Sequence, residues 1–231
     1  MKDIKTPIIR PIARIFTDFD EKFGIPRQSG LVPELVGKIV FEPGFRDPNA
    51  LRGIEAWSHL WLIWQFSEAI GETWSPTVRP PRLGGNTRVG VFATRSPFRP
   101  NPLGLSSVKL EKVSQEGESG TVLYVSGADL MNGTPIYDIK PYLAYTDSHP
   151  EASGGFAAEV FSHALTVHFP EELLSLLPEQ KRAAAIGFLS QDPRPAVQND
   201  PEKVFGVLFA GFEIHFRVMN DELTVLSVQS V

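Results

Sequence analysis

From Pro7 to about Val125 the apolar positions come in short runs rich in Ile, Val, Phe and Trp, separated by turn-forming residues. The runs IIRPIARIF, VGKIVF, LWLIWQF, RVGVFAT, SSVKLEKV and TVLYVSG predict strands, and their number and spacing predict an all-β unit, a sandwich or a small barrel. LWLIWQF and RVGVFAT are nearly continuous apolar runs, as expected of strands covered on both faces or of helix segments. SVKLEKV alternates and predicts a half-exposed strand, with EGESG as the hairpin loop leading into TVLYVSG.

The pattern changes after about Tyr145. TDSHPEASGGF is small and polar and reads as a linker. Beyond it, HALTVHF alternates like a strand and PEELLSLLPEQKRAAAIGFLSQD reads as one or two short helices. Pro170 sits at a helix start, with Glu171 and Glu172 placed to complement the helix dipole. KVFGVLFAGFEIHFRVMNDELTVLSVQS reads as two strands around a turn at Asn220-Asp221. The expected division is a main β domain over residues 1–146 and a smaller α+β domain over 155–231.

Composition changes this picture little. At 231 residues, 42% apolar and 10% aromatic, the chain has the make-up of a water-soluble globular protein with enough length for a real core. It has no cysteine, so disulfides, thiolate catalysis and Cys-ligated zinc are excluded. The five histidines show no HxxxH or HExxH spacing, and no metal is expected. The N-terminus has no continuous apolar core of the kind a signal peptide carries, and AWSHLWLIWQF is too short and too interrupted to span a bilayer. The expected location is the cytoplasm, with no membrane partner.

Charge changes it more. The net charge is −5, yet Thr73 to Leu110 contains no acid and six bases: Arg79, Arg82, Arg88, Arg95, Arg99 and Lys109. Arginine binds phosphate and carboxylate through a bidentate fork and stacks on flat rings. The same stretch, VRPPRLGGNTRVGVFATRSPFRPNPLGLS, is rich in Pro and Gly. Such a segment reads as an anion site, with RNA as the obvious large anion, or as a solvated basic loop offset by acids elsewhere.

Three clusters carry candidate chemistry. In TRSPFRPNPLG, Thr94 to Gly104, three prolines stiffen the chain and hold Arg95, Arg99 and Asn101 in nearly fixed directions, which lowers the entropy cost of binding. In NGTPIYDIKPYLAYTD, Asn132 to Asp147, Asp138 and Lys140 share a strand face, as a functional pair or as a plain ion pair. GIPRQSGLVP, Gly24 to Pro33, is a turn-rich loop with Arg27 and Gln28. There is no Walker A loop, no GxGxxG fingerprint and no GxSxG elbow.

GVFATRSPFRPNPLGLS resembles the hallmark segment of the TsaA/TrmO-like family, and NGTPIYDIKPYL resembles its second hallmark. FGIPRQSGLVP, RGIEAWSHLWLIW and SQDPRPA match further blocks, so the resemblance covers nearly the whole chain. It implies a mainly β fold, a small antiparallel β-barrel with a smaller C-terminal α+β domain, usually a homodimer. It implies an S-adenosylmethionine-dependent methyltransferase acting on N6 of threonylcarbamoyladenosine at tRNA position 37. Carried over residue by residue, the resemblance places the cofactor against Pro26, Arg27 and Gln28, Ser67 and Glu68, Arg95 and Leu105, and Asn132, Gly133, Thr134 and Pro135. Two departures are visible. The sequence reads FSEAI where enterobacterial members carry an aromatic followed by His-Gln, and Asn132 replaces the usual Asp before Gly-Thr-Pro.

The acceptor N6 is delocalised into the purine and the urea carbonyl, so transfer needs its proton removed. Asp138 is the first candidate base, Tyr142 the second, and Lys140 an orienting group. Arg79, Arg82, Arg88 and Arg99 are assigned to tRNA phosphate and the threonyl carboxylate. Two other classes stay open on the residues alone: a non-catalytic RNA-binding module, and a small-molecule hydrolase using Asp138 with His59.

Overall fold

The computed structural model describes residues 8–71, 73–80, 86–160, 164–195 and 200–231, and only the backbone of 158–160. The first part of the chain forms β1 (Ala13–Phe16), β2 (Val36–Phe41), β3 (His59–Gln65), β4 (Thr77–Val78), β5 (Val89–Gly90), β6 (Leu103–Glu116), β7 (Gly120–Ser126) and β8 (Thr134–Pro141), then a single helical turn, α1 (Ala144–Asp147). Six strands hydrogen-bond in the closed order β1-β2-β7-β6-β3-β8. All six ladders are antiparallel. A ring of this kind leaves no edge strand to pair with another chain. Alternate residues point inward, and Ile15, Ile39, Leu60, Leu62, Leu123 and Ile136 are fully buried at its centre.

VGKIVF, LWLIWQF and TVLYVSG form strands where their patterns place them, and the turn at Gly117–Ser119 joins β6 to β7 as EGESG predicts. RVGVFAT differs. Only Val89–Gly90 is extended, and Val91–Ala93 is a 3-10 turn, closed by Thr94 N and Thr94 Oγ1, which both donate to Val91 O. Its apolar residues are not equally covered: Val91 is buried while Phe92 is 73% exposed, so the continuous run came from surface aromatics as well as core. IIRPIARIF also shortens to four strand residues, with Ile8 and Ile9 exposed.

The second part forms β9 (Thr166–His168), α2 (Glu171–Leu174), α3 (Glu179–Ser190), β10 (Val204–Phe209), β11 (Phe212–Met219) and β12 (Glu222–Ser230). The sheet order is β10-β11-β12-β9, with β9 parallel to β12. The two strands expected near the C-terminus are three. A second tight turn at Ala210-Gly211 uses φ of 53° and 80°, the left-handed pair a two-residue hairpin needs. Ala at the first position hides that turn from sequence reading.

This second core is not built from the C-terminal segment alone. Phe19, Val32 and Leu35, from the excursion between β1 and β2, pack among Leu177, Phe188, Leu189, Phe209 and Phe216. The Phe19 ring meets Phe188 edge-on at 5.3 Å, and Lys181 Nζ donates to Asp18 Oδ2 at 2.5 Å. The loop that carries Pro26, Arg27 and Gln28 is therefore anchored at both ends on the C-terminal unit.

Candidate active site

A cleft of about 860 Å³ opens where four connections meet, within the range of about 300–1,000 Å³ usual for small-molecule sites. The β1–β2 excursion contributes Pro26, Arg27, Gln28 and Ser29. The end of β3 and the turn after it contribute Trp64, Gln65, Phe66, Ser67 and Glu68. The proline-rich loop contributes Arg95, Phe98 and Arg99, the start of β6 contributes Gly104 and Leu105, and the β7–β8 connection contributes Asp129, Met131 and Thr134.

Local chemistry holds these pieces together. Arg95 Nη1 donates to Gln28 Oε1, tying the proline-rich loop to the β1–β2 excursion. Ser107 N donates to Ser29 Oγ at 3.2 Å, and Gly30 N to Gly127 O at 2.8 Å. Within the proline-rich loop, Arg99 Nη1 donates to Thr94 O at 3.1 Å and Ser96 O at 3.4 Å. Part of that guanidinium thus braces its own loop. Gly104 lies under the Trp64 indole, and a Cβ there would overlap the ring atoms. Glycine is what lets the aromatic wall close onto the strand.

One carboxylate stands in the wall. The indole Nε1 of Trp64 donates to Ser106 Oγ at 2.9 Å, and Ser106 Oγ donates to Asp129 Oδ1 at 2.6 Å. Burial pushes the Asp129 carboxyl above its ordinary value. The Ser106 hydroxyl, the N–H groups of Asp129 and Ser29 and the positive Arg95 pull the other way without cancelling it. Among the described cleft residues the other acid is Glu68, which is exposed and 3.4 Å from Lys22 Nζ.

The structure gathers eight of the eleven expected cofactor residues at this cleft: Pro26, Arg27, Gln28, Ser67, Glu68, Arg95, Leu105 and Thr134. Asn132, Gly133 and Pro135 line no part of it. Asn132 faces the β1–β2 excursion instead: its Nδ2 donates to Asp20 Oδ1 at 2.7 Å and its Oδ1 accepts from Thr17 N at 3.2 Å. Gly133 supplies a φ of 76° and a carbonyl that accepts from Arg14, and Pro135 is buried opposite Arg14 in the β1–β8 ladder.

Asp138, Lys140 and Tyr142 are not brought to the cleft. Asp138 on β8 pairs with Ile63 of β3 and faces outward, because Ile139 turns toward the core and the irregularity between Ile63 and Trp64 lets Ile136 do so as well. Its Oδ2 lies 2.7 Å from Lys140 Nζ, and its Oδ1 accepts from Ile139 N. Tyr142 packs against Trp61, with ring centres 5.4 Å apart. His59 is hydrogen-bonded to Ser58, so the Asp138–His59 pair of a hydrolase is not assembled.

Of the basic segment, Arg79 and Arg88 are exposed outside the cleft, and Arg88 Nη1 donates to Thr77 Oγ1 at 2.7 Å, bracing the β4–β5 pair. Arg82 lies outside the described residues. Sequence reasoning missed the aromatic walls Trp61, Trp64 and Phe66, which read as ordinary strand core, and Asp129, which no motif spacing singles out.

The family model described as the tRNA-methyltransferase O N-terminal domain matches residues 14–148, and that of the TrmO C-terminal domain matches residues 162–231. The tRNA (adenine(37)-N6)-methyltransferase of Escherichia coli K12 is 40% identical over 226 residues, covering 94% of this chain and 96% of that protein. The protein of the same name from Eikenella corrodens is 45% identical over 177 residues, covering 76% of this chain and 99% of its own. The crystal structure of TrmO from Pseudomonas aeruginosa superposes with a TM-score of 0.78 at 33% identity and 100% coverage of both chains. With both domain models matched, and relatives of this similarity aligned along most of its length, the chain belongs to the TrmO family.

Proposed function

We propose that this protein is an S-adenosylmethionine-dependent methyltransferase of N6 of adenosine 37 in tRNA, the acceptor carrying a threonylcarbamoyl group. The observation that carries the reading is the convergence of Pro26–Gln28, Ser67–Glu68, Arg95 and Leu105, far apart in sequence, on one cleft. The relatives' names supply the reaction; the cleft supplies a place for it.

The cleft fits the cofactor. Its aromatic and aliphatic walls, Trp64, Phe66 and Leu105, suit an adenine ring and a thioether chain. Its charged groups at the rim have both signs, Arg27 and Arg95 against Glu68, as a ligand with a carboxylate and an ammonium requires. The bound cofactor supplies a methyl group on cationic sulfur, open to displacement. Arg95, held by Gln28, is placed to bind a carboxylate. Leu105 and Trp64 supply apolar contact for the cofactor.

Arg79, Arg82, Arg88 and Arg99 remain assigned to tRNA phosphate and the threonyl carboxylate. The exposed rings of Trp74, Phe92 and Phe98 on the same acid-free segment support this, because unstacked loop bases pair with aromatic faces and cations together. Asp138, Lys140 and Tyr142 would act only on an acceptor reached along the outer face of β8.

We read residues 1–146 as a small antiparallel barrel and 155–231 as the α+β domain; the closed strand order and the separate four-stranded sheet support that division, although the β1–β2 excursion packs into the second core. A homodimer in the cytoplasm completes the reading, since a second copy would lengthen the basic surface available to an anticodon stem-loop. Sedimentation at micromolar concentration checks it, a monomer counting against it. The cofactor assignment is tested by calorimetry. The protein alone should bind S-adenosylmethionine with 1:1 stoichiometry per chain, whereas tRNA binding without any cofactor affinity would make it an RNA-binding module.

A further inference from the structure

The proposed transfer requires a proton acceptor beside the acceptor nitrogen. The titratable groups lining the cleft, among the described residues, are Lys22, Arg27, Glu68, Arg95, Arg99 and Asp129. There is no His, Tyr or Cys among them. The cations cannot accept a proton. Glu68 is half exposed at the rim and already paired with the Lys22 ammonium, 3.4 Å away. That leaves one group. We infer that Asp129 is the general base of this site, oriented by the Trp64–Ser106 relay.

The relay fixes which atom works. An indole N–H only donates, so Trp64 occupies an acceptor position on Ser106 Oγ and the Ser106 proton is directed onto Asp129 Oδ1. A proton taken up by Asp129 therefore goes to Oδ2, while Oδ1 keeps its bond from Ser106. Asp129 removes the N6 proton as the N6–methyl bond forms. The N–H pair stays on nitrogen, and the pair of the breaking sulfur–carbon bond stays on sulfur. One sulfonium and one carboxylate become a neutral thioether and a neutral carboxylic acid, which is favoured where water is excluded.

The enclosed position makes Asp129 a stronger base than a solvated aspartate. Desolvation is the leading cause, and Arg95 is the charged group that opposes it. A base works ionised, so the rate rises with pH through its pKa and levels off above. The acid limb should lie above the usual aspartate range. Loss of the Ser106 hydrogen bond, which favours the ionised form, should move that limb to still higher pH.

This inference rests on the methyltransferase reading, and the experiment separates the two. Wild type, Asp129→Asn and Ser106→Ala are compared in single-turnover transfer to threonylcarbamoylated tRNA across pH. S-adenosylmethionine affinity is measured by calorimetry, and the Asp129 carboxyl is titrated by carbon-13 NMR without cofactor. The expected result is a rate loss on the order of 10²–10⁴ in Asp129→Asn, unchanged cofactor affinity, and a wild-type acid limb that follows the carboxyl titration. In Ser106→Ala the limb moves upward. Retained rate in Asp129→Asn overturns the inference. So does weakened cofactor binding with a retained rate at saturation, which makes Asp129 a counter-ion. A rate lost in Asp138→Asn but kept in Asp129→Asn places the base on β8. Should Asp129→Asn fail to fold, an unmoved limb in Ser106→Ala overturns it. A wild type that binds the cofactor but transfers no methyl group overturns the methyltransferase reading and this one together.

Discussion

At the scale of single residues, the cleft depends on a few side chains with no substitute. Arg95 is exposed enough to meet a ligand and tied to Gln28, so Arg95→Ala removes a charged contact and loosens two loops. A charge-assisted hydrogen bond contributes roughly 1.5–3 kcal/mol, so cofactor affinity should fall about ten- to a hundred-fold by calorimetry; an unchanged value would take Arg95 out of the site. Gly104→Ala drives a methyl group into the Trp64 ring. Overpacking of this kind costs about 1–3 kcal/mol. Thermal melting should register it, and cofactor affinity should drop as Trp64 leaves Ser106. Arg95 and Gln28 were legible in the sequence because proline-rich and turn-rich loops announce preorganised ligand contacts. Asp129 was not. A single Asp in the connection after a buried strand has no spacing signature, and only the fold shows that its carboxyl lines the cleft, bonded to Ser106.

At the scale of elements, strands with strict alternation were legible and elements defined by turns were not. The alternation in SVKLEKV maps directly onto β6 in the closed ring, whereas the continuous run LWLIWQF becomes a strand buried only at alternate positions. RVGVFAT failed because Phe92 is apolar and exposed, and the Ala210-Gly211 hairpin because alanine rarely takes positive φ. Asp138 lies away from the cleft for a related reason. Sequence places it on a strand beside Lys140, and the face it shares with Ile63 is decided by the register of β8 on β3. The least legible link is between the two units. The excursion carrying Pro26–Gln28 belongs to the ring by sequence and to the C-terminal core by packing. Phe188→Ala should therefore do two things. Truncating a buried Phe costs about 3–5 kcal/mol, visible in urea unfolding. It should also weaken cofactor binding, although Phe188 lines no part of the cleft. Loss of stability with unchanged cofactor affinity would show that the excursion holds its shape alone.

At the scale of the whole molecule, an acidic chain presents one acid-free segment with exposed arginines and aromatic rings. Each phosphate neutralised by such a side chain releases counterions, so tRNA affinity should fall steeply with salt. Arg79→Ala should lower that slope and leave cofactor affinity alone, because Arg79 lies outside the cleft; a slope already flat in the wild type would make the segment a solvated loop. The central claim is that this cleft joins a methyl donor to a modified adenosine in tRNA. Its most direct test is transfer of labelled methyl from S-adenosylmethionine to tRNA prepared with and without the threonylcarbamoyl group at position 37. The account predicts label on N6 of the threonylcarbamoylated adenosine and none on the unmodified tRNA. Equal labelling of both, or none of either by a protein that binds cofactor and tRNA, would contradict it.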